Sequence, residues 1–98
     1  MKLMYVLVRK ELDETYRCIQ GAHALAQYVM IFPQEAAEWK NEHLIFLGTK
    51  FQFGIDECAR SLIHIGIKYQ IFREPTFGQS TALACYCESE IFKNFDLA

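Results

Sequence analysis

Ninety-eight residues, 52% hydrophobic, 14% aromatic and 22% charged, describe one globular domain over residues 1–98 and exclude a disordered chain. A net charge of −2, with both signs mixed, lacks the basic excess of a protein built on nucleic-acid phosphates. No apolar run reaches the roughly 18 residues that span a bilayer, and Arg9, Lys10 and Glu11 come too early for a signal peptide, so a cytoplasmic protein with no membrane partner is expected.

Met1 to Val8 is apolar at nearly every position, which predicts a strand covered on both faces. Asp13 or Thr15 can cap the helix that follows, which should run to about Met30 and stop before Pro33. Pro33 to Trp39 reads as a short second helix with proline in its first turn. His43 to Leu47 is a second buried strand, ended by Gly48. Phe51, Ile55, Cys58, Leu62 and Ile65 recur at helical spacing up to Gly66, a C-cap, with Gly54 weakening the first turn. Ile67 to Phe72 makes a third strand, and Thr81 to Cys87 a fourth. On the fourth, Thr81, Leu83, Cys85 and Cys87 share one face and Ala82, Ala84 and Tyr86 the other. Glu88 to Leu97 is expected as a terminal helix that packs Ile91, Phe92 and Phe95. The order β-α-α-β-α-β-β-α predicts a three-layer α/β domain.

The first helix carries the densest signal. At 100° per residue Cys18, Ile19, Ala22, Leu25, Ala26 and Val29 form an apolar face, and Tyr16, Gln20, His23 and Gln27 a neighbouring polar row. Gly21, Ala22, Ala24 and Ala26 are small enough for a backbone to pass close. Such a row is either a site or a tightly packed interface. Cys18, Cys58, Cys85 and Cys87 form no C-x-x-C, and His23, His43 and His64 are scattered, so no metal site is expected and the cysteines read as reduced core residues. Neither a phosphate-cradling glycine loop nor a G-x-S-x-G elbow occurs, so no cofactor is expected. The remaining place for a site is the end of the sheet, where the exit of strand one, the start of the first helix and the loop 73–81 converge.

Val8-Arg9-Lys10-Glu11-Leu12, Gln20-Gly21-Ala22-His23-Ala24, Trp39, Phe72-Arg73-Glu74 and Gly78-x-x-Thr81-Ala82-Leu83-Ala84, in that order and spacing, resemble the type 2 peptidyl-tRNA hydrolase family. The resemblance covers almost the whole chain. It implies a mixed four-stranded sheet with helices on both faces and a homodimer. It also implies cofactor-independent cleavage of the ester joining a peptide to the tRNA 3′ end. The family's site lysine, aspartate and threonine fall on Tyr16, Glu74 and Gln79, each a departure from the pattern, and the loop from Glu74 to Gly78 is shorter than the family's.

Ester hydrolysis needs a base or positioned water and a donor to the developing oxyanion. Glu74 or His23 could orient water, while Arg17, Gln20 or Gln79 could donate to the oxyanion. The expected catalytic set is therefore Glu74, Arg17, His23 and Gln20. Substrate contacts are expected from Tyr16, which could stack on a base or sugar, and from Arg9, Lys10, Gln79, Ser80 and Thr81. A basic patch for RNA would combine Lys2, Arg9, Lys10, Arg17, Lys68 and Arg73.

Each residue also has a plainer reading. His23 borders the apolar face as a packing histidine would, Gln20 could bond a loop backbone, and Glu74 could form a surface ion pair with Arg73 or Arg17. Trp39 suits a packing anchor, and Arg9-Lys10 a solvated strand exit. The alternative function is accordingly a catalytically inactive module that keeps the fold to bind RNA, a nucleotide or a protein, or to dimerise. A small-molecule enzyme on the same scaffold is a third. An open cleft with Glu74 facing Arg17 favours the hydrolase; Tyr16 filling that cleft favours the module.

Overall fold

The computed structural model describes residues 1–76 and 78–98, Gln52 by its backbone alone. Strand β1 (Lys2–Arg9) leads to helix α1 (Glu14–Ile31), the short helix α2 (Pro33–Trp39), β2 (Leu44–Thr49), α3 (Gln52–His64), β3 (Gln70–Glu74), β4 (Gln79–Glu88) and β5 (Asp96–Leu97). The sheet runs β3-β4-β1-β2-β5. Strands β1 and β2 are parallel and the other pairs antiparallel, so the sheet is mixed.

β1 is central and covered on both faces, as its unbroken apolar sequence predicts. Met4, Val6 and Val8 face α1 and α2, in a core with Ala24, Tyr28, Trp39, Ala82 and Ala84. Tyr5 and Leu7 face α3, in a core with Leu47, Ile55, Leu62, Leu83 and Phe92. The helices thus cover both faces of the sheet. Asp13 caps α1 by accepting from the Tyr16 N–H at 3.0 Å. The Trp39 indole donates to the His43 carbonyl at 2.9 Å, which anchors α2 against the entry to β2. α3 ends at His64 with Ile65 as its C-cap, and Gly66 follows with a φ of 75°, the left-handed geometry that closes helices.

Four expectations are corrected. The sheet has five strands among the described residues, where four were expected. The terminal helix over 88–97 is not formed: Ser89–Phe92 makes a single 3-10 turn that stacks Phe92 on Tyr5, with ring centres 4.6 Å apart. The chain then extends, and Asp96 and Leu97 pair with Gly48 and Leu47 on the free edge of β2. Gly48 does not end β2. The strand continues through it, paired with Val8 on one side and Asp96 on the other, and the Lys10 side chain lies across this glycine, where a Cβ would stand 2.5 Å from Lys10 Cε.

The fourth correction concerns α1. Its buried residues are Gln20, Gly21, Ala24 and Tyr28, whereas of the residues assigned above to one apolar face Cys18, Ile19, Ala22, Ala26 and Val29 point to solvent and Leu25 is half-buried. The helix is turned so that the polar row approaches the sheet. Gly21 makes this close approach possible: a Cβ there would meet Phe46 Cε2 at 2.5 Å and Val6 Cγ1 at 3.1 Å.

Candidate functional site: the seam between α1 and β3

The polar row of α1 lies along the edge strand β3, and each of its four residues has a partner there. The Tyr16 phenol sits beside the Glu74 carboxylate, and its pKa is raised by burial and then by that negative charge. The Gln20 amide donates to Glu74 Oε2 at 2.8 Å. The His23 ring stacks on Phe72, centres 4.5 Å apart and nearly parallel at 11°. Gln27 donates to Gln70 Oε1 at 2.6 Å and to the Ile71 carbonyl at 2.9 Å. One face of a helix is thereby fastened to one strand, residue by residue.

Thr81 joins this seam from β4. Strict alternation puts Thr81 on the Leu83 face, toward α3. The pairing of β3 with β4 slips at Phe72/Arg73, from Phe72 opposite Ala82 to Arg73 opposite Ser80, which leaves Thr81 as the extra residue of a β-bulge. The Thr81 hydroxyl therefore reaches the α1 side and donates to Gln20 Oε1 at 2.5 Å, with the Phe72 carbonyl a longer contact at 3.3 Å. Both Gln20 and Thr81 are buried. The Gln20 amide is consequently satisfied at its nitrogen by a carboxylate and at its oxygen by a hydroxyl.

Glu74 accepts at both oxygens. Thr76 approaches Oε1 with its backbone N–H at 3.3 Å and its hydroxyl at 3.2 Å. The Gln20 amide first, and then Thr76 and Tyr16, hold the Glu74 carboxyl below its usual value despite the opposing effect of burial. It is an ionised carboxylate at neutral pH, and each hydrogen bond that stabilises the anion makes it a weaker base. The loop 73–81 that carries this edge is described except at position 77.

The other predicted residues lie elsewhere. Arg17 lines a cavity of about 330 Å³ with Val8, Cys18 and Phe46, over the β1–β2 side of the sheet, and has no hydrogen bond or ion pair to Glu74 among the described residues. Arg9 is buried, so it is no solvated strand exit. Its guanidinium meets Glu11 at 2.6 Å, Gln79 at 2.9 Å and the Ser80 carbonyl at 3.1 Å, bracing the β4 end against the exit of β1. Lys10 covers Gly48 and reaches Asp96 at 3.7 Å. Arg73 donates to the buried Ser80 hydroxyl at 2.9 Å. Neighbouring strand residues face opposite sides of a sheet, so Arg73 is not the partner of Glu74. Of the ten predicted residues, Glu74, Gln20, Tyr16, Thr81 and His23 come together on the α1 face; Arg17, Arg9, Lys10, Gln79 and Ser80 do not join them.

Glu11, Phe72 and Thr76 were missed. An acid two positions after Arg9 was a local signal for the Arg9 pair, and a threonine two positions after Glu74 was one for the Thr76 contact; Phe72 had none, because its partner His23 is distant in sequence.

No family model matches the chain, and no curated protein matches it. Among solved structures, a protein of unknown function from Agrobacterium tumefaciens strain C58 is similar at a TM-score of 0.76 and 11% identity, over 99% of this chain and 97% of that one. The likeness is one of fold. It extends over the whole mixed sheet and its flanking helices and carries no activity with it.

Among the described residues, no group of three histidine, cysteine, aspartate or glutamate side chains is placed to hold a metal ion. No helix is long and apolar enough to cross a membrane.

Proposed function

We propose that this chain is a non-catalytic module of the peptidyl-tRNA hydrolase type, which acts through self-association and binding. The observation that carries this reading is the engagement of the α1 row. Tyr16, Gln20, His23 and Gln27 all meet β3, and Tyr16 occupies the space beside Glu74. In this seam the Gln20 amide, expected as an oxyanion donor, is already bonded to Glu74, and Arg17 lines a separate cavity.

The self-association reading rests on the opposite side of the same helix. From Cys18 to Gln34 the sequence has no charged residue, and Ile19, Ala22, Ala26, Val29 and Met30 face outward. Ile19 and Val29, like Ala22 and Ala26, stand at equal distances on either side of Ala24. The face therefore reads alike in both directions. A two-fold axis at its centre would set Ile19 against Val29 of a second copy, with the small Ala22 and Ala26 at the close approach, as an isologous contact requires.

The competing hydrolase reading draws support from Glu74, which keeps an ionised carboxylate where the resemblance places the family's aspartate. One assay separates the two. Release of peptide from a model N-acyl-aminoacyl-tRNA is expected to stay at the buffer rate. Turnover above buffer that falls about ten-fold in Glu74→Ala, or about 1.4 kcal/mol of transition-state stabilisation, would restore the hydrolase.

A further inference from the structure

The α3 side of the sheet, opposite the α1–β3 seam, carries an open groove. It begins as a cavity of about 470 Å³ at the C-terminal end of β2, between the start of α3 and the segment that holds Ile91 and Phe95. A second cavity of about 680 Å³ continues it along α3 and shares Glu57, Ser61 and Ile91 with the first. From Gly54 to Ile65 the helix rises about 16 Å, so the groove is long rather than compact. The carboxyl ends of strands are where open α/β sheets place their ligands.

The walls are apolar. Phe51 and Phe53 line the groove at the start of α3 and Ile91 and Phe95 line it from the C-terminal segment, with the buried Cys58 beneath. Gly54 lies directly against Thr49, so the first turn of α3 sets its glycine on the strand and leaves the flanking phenylalanines outside. Phe51 is 58% exposed and Phe53 65%. Two large rings left in water beside a concavity gain free energy when apolar material covers them.

One end of the groove is polar. Thr49 and Lys50, consecutive residues at the exit of β2, both line the first cavity, and neither the hydroxyl nor the ammonium has a hydrogen-bond or ion-pair partner among the described residues. Glu57 is the one acid among the described lining residues, and Arg60 stands three positions further along the same helix, close enough to offset its charge. Lys50 is thereby the uncompensated charge. A cationic ligand would be opposed by Lys50 and Arg60. A compact neutral ring would fill one cavity and leave the Lys50 end unused. A linear apolar chain that ends in an anion uses the walls, the length and the charge together.

We propose that this groove is a binding site for an unbranched alkanoate, a free medium-chain fatty acid. Its carboxylate accepts from the Lys50 ammonium and the Thr49 hydroxyl, and its chain runs along α3 past Cys58 and Ile91 toward Ile65. The site shares no residue with the α1–β3 seam or the outer face of α1, and it is independent of the reading given to them.

The test is a titration of the full chain with hexanoate, octanoate and decanoate below their micellar concentrations, followed through the backbone amide resonances of Lys50, Gly54 and Ser61. Decanoate is expected to give saturable shifts, and affinity should rise from hexanoate to decanoate because each added methylene buries more apolar surface. Decylammonium, with the same chain and the opposite charge, should bind about ten-fold more weakly than decanoate. Lys50→Glu changes an exposed residue and should reverse that preference. Ser61→Trp also changes an exposed residue, whose hydroxyl bonds only the Glu57 carbonyl of its own helix, and its indole should block the groove and weaken decanoate by about ten-fold or more. Circular dichroism matching wild type shows that each variant is folded. No saturable shift with decanoate, equal binding of hexanoate and decanoate, or equal binding of decylammonium would each overturn the proposal. Undiminished decanoate binding by both folded variants would overturn it as well, by placing the ligand elsewhere.

Discussion

Thr81 on β4 donates its hydroxyl to the side-chain oxygen of Gln20 on α1 at 2.5 Å, across 61 positions of sequence and with both side chains buried. The β-bulge at Thr81 allows this contact, and the contact in turn orients the Gln20 amide nitrogen toward Glu74. A helix, an edge strand and a bulged strand meet in one three-residue chain of hydrogen bonds. Thr81→Val keeps the shape and removes the donor, leaving Gln20 Oε1 buried without a partner, at a cost of about 1–3 kcal/mol. Urea unfolding should show a lower midpoint with an unchanged slope, and Thr81→Ser, which keeps the hydroxyl, should recover most of the loss. A Thr81→Val midpoint equal to wild type would show that this chain of bonds contributes nothing.

Glu74 gives the seam a pH dependence of definite sign. Its folded pKa is depressed, so its contribution is present above the ordinary carboxylate value of 4.5 and is lost as pH falls through the lower folded value. Stability should decline on acidification below that range. Glu35, depressed by Lys68, acts in the same direction. The Glu74 share is isolated by comparing wild type with Glu74→Gln, whose acid decline should be shallower. Identical pH profiles for the two would remove Glu74 from the network.

The cysteines should divide one against three. Cys18 is exposed on the outer side of α1, while Cys58, Cys85 and Cys87 are buried in the core beneath α3. Burial pushes the Cys58 thiol up to about 12, and the Cys85 thiol is also raised, most by its hydrogen bond with Cys87. The same bond lowers Cys87, but its burial keeps reagents away. Native protein should therefore react with a thiol reagent rapidly at one site, and unfolded protein at all four. Rapid native labelling of more than one thiol would contradict this packing.

Gly54 stands in the first turn of α3, where helix propensity alone favours alanine by about 1 kcal/mol. A Cβ there would lie 2.9 Å from Thr49 Cβ, inside any real contact distance. Overpacking of this kind costs about 1–3 kcal/mol, so Gly54→Ala should destabilise rather than stabilise. Adding Gly54→Ala to a Thr49→Gly background should reverse the sign relative to Thr49→Gly alone, because no Cβ then remains at position 49 to obstruct it. Thermal unfolding of the single and double variants measures both.

The outer face of α1 predicts its own variant. Ala26→Glu places a charge at the centre of the proposed self-contact, where it would face an apolar surface without a partner. Sedimentation of the wild type should show a dimer and that of Ala26→Glu a monomer, with matching circular dichroism. A monomeric wild type at high concentration would exclude the self-association reading.

The sequence alone determined where most of the secondary structure lies, because those signals are local. An unbroken apolar run made β1, Asp13 and Pro33 marked the limits of α1 and α2, and Gly66 closed α3. The direction in which α1 faces was not determined in this way. With glycine and alanine scattered through it and no charge after Arg17, the helix had two sides of similar apolarity, and periodicity could not choose between them. Tertiary contact made the choice. Glu74 and Thr81 supplied bonds that bury Gln20 without cost, so a polar row entered the interior while Ile19 and Val29 remained outside. The bulge that turns Thr81 and the pairing of Asp96 and Leu97 with β2 are of the same kind. Each depends on which strand is the neighbour, a property of strands assembled side by side that no single segment carries.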